Sequence, residues 1–416
     1  MKKAILVAYY FPPVNTIAAI RAIKLSQCLM DKYGELEVIA NSTKYVKSTS
    51  LDKTLLRKLP KLKDSYITRK LGLLPKFGFE VKQAPLDRLL GRIFTQIFCS
   101  IRIDWSISVI LKLLKETKRA DMIYITGAPF FTFAIVLLCS SRKKAQIVIE
   151  YRDLWTQNPR TSFTSLMRKF TVINFEKPIL RRADKIVTVS DGCKASLLKI
   201  DPRLEIDVVR NLPSKMEIND WIIFNDAHNP LKNYSDFFNI CIVGSVYKEC
   251  SLDKIVTSLS ISVRSKICIH YVGSTFENLF LDRTNANLVN LVNHGLVARE
   301  TAMSFMKNAD LLLSLISNKS STSAGPEIIG LMTTKIFDYL LSKTPILNIA
   351  PLNCDATYFL SKYGGKSVLS LEADDSELIN NELWNFISNR QFTCASDSKL
   401  NLPTFEEDFE SAFLDI

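Results

Sequence analysis

Two kinds of segment alternate along this chain, and that alternation constrains its architecture more than any other feature of the sequence. "KAILVAYY" (3–10), "ELEVIA" (35–40), "DMIYIT" (121–126), "AQIVIE" (145–150), "DKIVTVS" (184–190) and "EIDVV" (205–209) are short runs dominated by apolar, often β-branched residues. Stretches of helical pattern lie between them, at about 16–32, 128–140, 163–182 and 191–199. In the first, Arg21, Lys24, Gln27 and Asp31 form a polar stripe on an otherwise apolar segment. A strand that is apolar throughout has both faces covered, which is the condition of a parallel sheet between helices.

The pattern occurs twice. Residues 211–236, rich in Asn, Pro, Asp and Lys, read as a linker. A second series then follows: "FNICIVG" (238–244), "KICIHYVG" (266–273), "NLVNLVN" (287–293), "DLLLSLI" (310–316), "PILNI" (345–349) and "KSVLS" (366–370) as strands, with helices between. A length of 416 residues exceeds one ordinary core. The expected fold is therefore α/β, with two doubly wound Rossmann-like domains facing across a cleft. The expected boundaries are 1–215, 216–395, and a C-terminal tail at 396–416 that packs back on the first domain.

Doubly wound sheets bind ligands beyond the carboxyl ends of their strands, so the residues just after strands are the candidates. Gly244 and Ser245 follow the first strand of the second series, and Lys248 stands close behind. A small residue there lets backbone approach a ligand, and a lysine meets phosphate. "SNKSSTSAGPEIIG" (317–330) is a long polar loop of the kind that is usually functional. Next comes "GLMTTKIFDYLLSKTPIL" (330–347), an apolar helix that carries Thr333, Thr334, Lys335 and Asp338 at its start. Helix N-termini offer free N–H groups and a positive dipole end, which suit a pyrophosphate. Lys335 adds a full charge, and Asp338, one turn on, can accept ribose hydroxyls. After "AQIVIE", "YRDLW" (151–155) places Arg152 and Asp153 at the equivalent end of the first domain.

Net charge is +12, and it is concentrated. Residues 44–119 hold 18 of the 54 Lys/Arg but only 6 of the 42 Asp/Glu. Within them, Leu86, Leu89, Leu90, Ile93, Phe94, Ile97, Phe98 and Ile101 follow the spacing of one helix face, and Arg88, Arg92 and Arg102 lie off it. Such a segment suits an anionic membrane surface. Nucleic acid is disfavoured, because no aromatic stacking pattern accompanies the charge. Nine cysteines with no C-x-x-C pair, and three scattered histidines, argue against zinc and against a secreted disulfide framework. With no D-x-D pair to seat a divalent ion, no metal or cofactor is expected. The apolar run at the N-terminus ends in Pro12-Pro13 and reads as a first strand rather than a signal peptide. A cytoplasmic location, peripheral on the inner face of a membrane, follows.

"YYFPP" with Arg21, "YRDLW", "ADKIVTVS", "VGS" with Tyr247, "HGLV" followed by Arg299 and Glu300, and "TKIFDYL" followed by "TPIL" resemble glycosyltransferase family 4. This is a family of two-Rossmann-domain, GT-B enzymes. The resemblance runs in order through most of the chain. It implies retaining, metal-independent transfer of a sugar from a nucleotide-diphosphate sugar to a glycan or lipid-linked acceptor, as in surface-polysaccharide synthesis. The donor then lies on the C-terminal domain and the acceptor on the N-terminal one. On that reading Lys248, Lys335 and the helix N-terminus at Thr333 and Thr334 stabilise the leaving phosphates. Asp338 holds the ribose, and Arg152 and Asp153 face the acceptor. The chain departs from the family in three places: the loop after the first strand lacks glycines, Asp338 replaces a glutamate, and Gly330 stands where another glutamate is usual. Glu327, three residues upstream of Gly330, is the substitute candidate. Two other readings are a nucleotide-sugar isomerase on the same fold and a non-enzymatic polyanion-binding protein.

Overall fold

Strand β1 (Lys2–Ala8) is buried from Ala4 onward and lies one strand in from the edge of a six-stranded parallel sheet. The computed structural model describes residues 2–41, 51–60, 93, 95–100, 102–139, 144–158, 161, 163–224, 228–247, 250–389 and 402–414, except for the side chains of 104, 326, 327 and 389. The chain forms two compact units, Met1–Asn211 with Phe405–Ile416, and Leu212–Thr404.

In the first unit the sheet order is β2-β1-β3-β4-β5-β6, formed by β1, β2 (Gly34–Ala40), β3 (Met122–Thr126), β4 (Gln146–Tyr151), β5 (Lys185–Thr188) and β6 (Ile206–Val208). The chain leaves β1 for β2, then returns to β3 on the other side. The switch point is therefore between β1 and β3. Helix α1 (Ile17–Tyr33) makes the first crossover. Thr16 caps its start by accepting from the Ala19 N–H, and Gly34, at φ 78°, turns the chain into β2. Its polar stripe is only partly solvated: Asp31 is exposed, but Arg21 and Lys24 are buried, for a reason given below. Helix α2 (Ile103–Glu116) leads into β3. The helix expected at 128–140 is instead a 3₁₀ turn (Phe130–Ala134) followed by one α-turn (Ile135–Leu138). The coil tightens where Phe130 stacks on Trp155 and Phe133 meets Tyr151.

Helix α3 follows β4 in three joined pieces: α-helical Ser165–Thr171, a π-helical turn Val172–Glu176, and α-helical Lys177–Arg182. Of the expected apolar helix at 86–101, most lies outside the described residues. What is described is helical as far as Ile97 and then turns, with Cys99 at φ 44°. The basic segment 44–119 otherwise contributes a 3₁₀ turn at Lys53–Lys58 and α2.

The second unit starts earlier than the linker reading implies. Within 211–236 the chain forms helix α4 (Lys215–Ile223), begun by a capping box in which Ser214 and Glu217 bond each other's backbone N–H. Its sheet order is β12-β11-β10-β7-β8-β9, from β7 (Phe238–Val243), β8 (Ile267–Val272), β9 (Asn290–Gly295), β10 (Leu311–Leu315), β11 (Ile346–Ile349) and β12 (Val368–Leu371). All pairings are parallel. The chain moves outward from β7 to β9, then crosses back to β10 beside β7. The switch point of this sheet is thus between β7 and β10. Helix α5 (Arg299–Asn308) precedes β10, and α6 (Lys335–Ser342) precedes β11. The last helix, α7 (Phe405–Ala412), belongs to the first unit, where the Arg21 guanidinium lies over Phe405 at 5.0 Å.

Candidate functional site: the strand ends of the two units

In the second unit, the residues beyond β7 and β10 converge on the switch point. Gly244 turns the chain at φ 98°, a conformation costly for any side chain, and its N–H donates to the Val272 carbonyl at 2.8 Å. Gly273, just after β8, is packed against that turn. A Cβ there would lie 2.6 Å from the Gly244 carbonyl oxygen and 2.4 Å from the Tyr271 hydroxyl. The two loops therefore meet backbone to backbone, and only glycine fits. The hydroxyl of Thr275 accepts from the Val246 N–H and is within hydrogen-bond distance of the Tyr271 hydroxyl. Ser245 and Tyr247 are left exposed beside this frame.

Helix α6 is held over the same strand ends by its own side chains. Tyr339 accepts from the Val243 N–H at 2.9 Å, at the last residue of β7. Lys335 donates to the Leu315 carbonyl at 3.3 Å, at the last residue of β10, and its stem passes Gly244. The Lys335 ammonium thus bridges the gap where the strand order reverses. Burial pushes its pKa down from the ordinary 10.5 to about 8. Thr334 occupies the N-cap position with helical backbone angles and makes no side-chain cap bond. The Thr333 hydroxyl is buried and has no hydrogen-bond partner among the described residues. The start of α6 therefore presents a spare hydroxyl and a cation at the positive end of the helix, while the Ile336 and Phe337 N–H groups already donate to the Thr333 and Thr334 carbonyls.

Asp338 is already engaged. Its Oδ1 accepts from the Trp221 indole N–H at 2.9 Å and from the Arg299 guanidinium at 3.0 Å. Burial would lower the Arg299 pKa, but the Asp338 carboxylate together with the Glu217 and Asp220 charges holds the guanidinium above its usual value. Of the other expected residues, Lys248 lies outside the described residues. Glu327 has its backbone in a short helical turn (Pro326–Ile329), and its side chain is likewise outside them. Among the described residues, no group of three or more His, Cys, Asp or Glu is placed to hold a metal ion.

In the first unit, Asp153 is exposed just beyond β4, and half-buried Arg152 donates from Nε to the Gly127 carbonyl, just beyond β3. Burial lowers the Arg152 pKa. Beneath them is a pair that the sequence reading did not single out. Arg21 donates from Nη2 to Glu150 Oε1 at 2.7 Å, with both side chains buried. The Tyr124 hydroxyl donates to the same oxygen. Arg21 also reaches the Val209 carbonyl at 2.8 Å and Asn211 Oδ1 at 2.7 Å. Burial alone would raise the Glu150 carboxyl, but the Arg21 charge together with hydrogen bonds from Arg21, Thr126 and Tyr124 keeps it below the usual value. Arg21 on α1 therefore turns inward because Glu150, next to the last residue of β4, carries a buried carboxylate, which must be paired. Nearby Glu176, in the π turn of α3, has no such cation. Burial raises it from 4.5 to about 7, and it accepts from the Thr156 hydroxyl.

The described residues of the two units thus bring together Gly244, Ser245, Thr333, Thr334 and Lys335 at one switch point. Asp338 lies on the next turn of α6. Arg152 and Asp153 lie at the strand ends of the other unit. The residues that were missed are Trp221 and Arg299. Trp221 was hidden in the supposed linker, although the Ser214-x-x-Glu217 signature of a helix start was readable there. Arg299 lies inside a quoted motif, but nothing in its spacing ties it to Asp338.

No family model and no curated protein sequence matches the chain. Solved structures do. Anabaena HepE in complex with UDP-glucose is similar at 13% identity and TM-score 0.58, over 99% of this chain and 94% of that one. WaaG, a glycosyltransferase involved in lipopolysaccharide biosynthesis, is similar at 12% identity and TM-score 0.57, over 99% of both. A putative UDP-N-acetylglucosamine 2-epimerase from Listeria monocytogenes is similar at 14% identity and TM-score 0.51, over 99% of this chain and 97% of that one. At these identities the likeness fixes the fold. The protein has the GT-B fold of nucleotide-sugar glycosyltransferases, shared by at least one epimerase.

Proposed function

We propose that the protein is a glycosyltransferase. It transfers a sugar from a nucleotide-diphosphate sugar to a glycan or lipid-linked acceptor of a surface polysaccharide, with retention of configuration and without a metal. The observation that carries this reading is the cation at the switch point. A lysine is held half-buried and easily discharged between the ends of β7 and β10, beside the unpartnered Thr333 hydroxyl and a tight glycine turn. Keeping an ammonium there costs stability unless an anion completes it. A diphosphate fits that requirement. When the sugar–phosphate bond breaks, negative charge grows on the leaving diphosphate. Lys335 and the positive end of the α6 dipole are already placed to receive it, which is how preorganised charge lowers a barrier. Lys248 is proposed to assist from the other loop, and Glu327 to meet the sugar. Asp338, with one oxygen fixed by Trp221 and Arg299, offers the other to the ribose. Arg152 and Asp153 handle the acceptor.

The epimerase likeness makes a second reading concrete. That chemistry calls for acid–base side chains at the strand ends. In the second unit, His270 and His294 are instead paired with each other at 3.1 Å, and His270 is fixed to Asn239 at 3.0 Å. Burial lowers His270 to about 4. Two residues spent on each other within β8 and β9 favour the transferase. The deciding experiment incubates the full chain with labelled nucleotide sugars, with and without a bacterial lipid extract and with and without EDTA. Transfer of label to the lipid or glycan fraction, undiminished by EDTA, is expected. Interconversion of the nucleotide sugar with no acceptor present would establish the epimerase instead.

The +12 charge and its concentration in 44–119 support work at the cytoplasmic face of a membrane. No helix among the described residues is long and apolar enough to cross one.

A further inference from the structure

Helix α3 changes character at its π turn. Its C-terminal piece buries Ile179 and Leu180 in the core of the first unit. Its N-terminal piece carries Leu166 and Phe170, four residues apart, and the π turn that follows carries Ile173; these are 71%, 43% and 58% exposed. Three large apolar side chains in a row on the outside of a helix are not scattered surface residues but a stripe. The stripe is firmly supported. Phe170 and Phe131 each pack against Phe175, and Phe131 lies against Phe98 at 4.6 Å. Thr171 donates to the Ile97 carbonyl, and Ile93, on that neighbouring segment, is also exposed. Arg168 fastens the preceding loop by donating to the carbonyls of Thr156, Asn158, Thr161 and Phe163. The exposed piece is thus a built feature next to the Trp155–Thr156 loop that follows β4.

The exposed charged side chains of α3 itself are all cationic. Lys169 and Arg182 are exposed, Lys177 is half-buried, and exposed Arg181 shares the Asp201 carboxylate. The one acid within α3, Glu176, is buried and is raised toward neutrality. An apolar stripe rimmed by cations is complementary to a bilayer that is apolar within and anionic at its surface.

We propose that the N-terminal half of α3 docks the protein on an anionic phospholipid bilayer, with Leu166, Phe170 and Ile173 entering the interface and Lys169 and Lys177 meeting headgroups. This deepens the membrane-surface part of the proposed function and places the apolar contact on α3. It rests on that reading only for what the strand ends then do there.

The test is sedimentation of the full chain with vesicles of phosphatidylcholine, alone or mixed equally with phosphatidylglycerol. The wild type is expected to bind the mixed vesicles at least tenfold better than the neutral ones. Phe170→Asp with Ile173→Asp is expected to lose about tenfold or more of that binding, with an unchanged Tm. Lys169→Glu with Lys177→Glu is expected to lose binding while neutral-vesicle affinity stays as low as before. Undiminished vesicle binding by the aspartate variant, or no binding by the wild type at low salt, overturns the proposal. So does a Tm loss as large as a core substitution gives, which would mean that the chain itself, residues 61–92 included, covers the stripe. Loss of a concentration-dependent dimer in the aspartate variant, with vesicle binding retained, would assign the stripe to a second copy. UDP affinity, measured separately, decides the donor reading: vesicle binding without UDP affinity sinks the enzyme and leaves the docking.

Discussion

Replacing Lys335 with Met should make the empty protein more stable and the nucleotide-binding protein worse. Met has a similar length and no charge, so it refills the space between the ends of β7 and β10. In the wild type the ammonium is discharged at about 8 instead of 10.5. At about 1.4 kcal/mol per decade, that is roughly 3 kcal/mol of penalty for holding the charge at neutral pH. Lys335 is half-buried rather than sealed off, and its bond to the Leu315 carbonyl is worth about 1 kcal/mol, so a gain of about 1–2 kcal/mol is expected at pH 7. The pH dependence has a definite sign. Between about 8 and 10.5 the unfolded chain holds a proton that the folded chain has given up, so raising the pH across that window stabilises the wild type and not the variant. Ligand binding should respond the other way. Losing a charged partner costs about 1.5–3 kcal/mol, or roughly ten- to a hundredfold in affinity for UDP. Urea unfolding at pH 7 and pH 9.5, with UDP titration calorimetry at pH 7, reads all of this. A variant less stable than wild type at pH 7, with unchanged UDP affinity, would refute the assignment of Lys335 to a diphosphate site.

Asp338→Ala should weaken UDP-sugar binding about ten- to a hundredfold by calorimetry, and Arg299→Ala should weaken it less, because Arg299 acts by holding the carboxylate; equal losses would contradict that order. Gly273→Ala should cost about 1–3 kcal/mol in denaturant unfolding, since its Cβ collides with the Gly244 backbone, and a neutral substitution would mean that the two loops move apart freely. Glu176→Gln should stabilise the protein by about 1–3 kcal/mol at pH 8 and change little at pH 4. The folded carboxyl titrates near 7 and the unfolded one near 4.5, so the wild type loses stability as pH rises between them; pH-independent unfolding of the wild type over that range would count against it.

Both sheets were legible because parallel strands buried on both faces leave continuous apolar runs, and runs such as "DMIYIT" and "DLLLSLI" became β3 and β10. What failed were local inferences that tertiary contacts override. A composition rich in Asn and Pro made 211–236 look like a linker, yet the capping pair Ser214 and Glu217 starts α4. Helical periodicity at 128–140 gave way to a 3₁₀ turn because two phenylalanines had rings to pack against. Arg21 and Lys24 looked like a solvent stripe because the sequence does not show that Glu150, near the end of β4, is buried. The residues gathered at the switch point of the second unit were easier to place, since strand ends and a helix N-terminus are local features. Long-range partners such as Trp221 and Arg299 on Asp338 are set by how α4, α5 and α6 meet, and no spacing encodes that.

The central claim is that the switch point of the second unit holds a nucleoside diphosphate. Hydrogen exchange on the full chain, with and without saturating UDP and with GDP and ADP as comparisons, tests it most directly. The account expects slowed exchange at 244–246 and at 333–339 with at least one of the three nucleotides, and loss of that protection in Lys335→Met. Protection confined to the first unit, or none with any of the three, would contradict it.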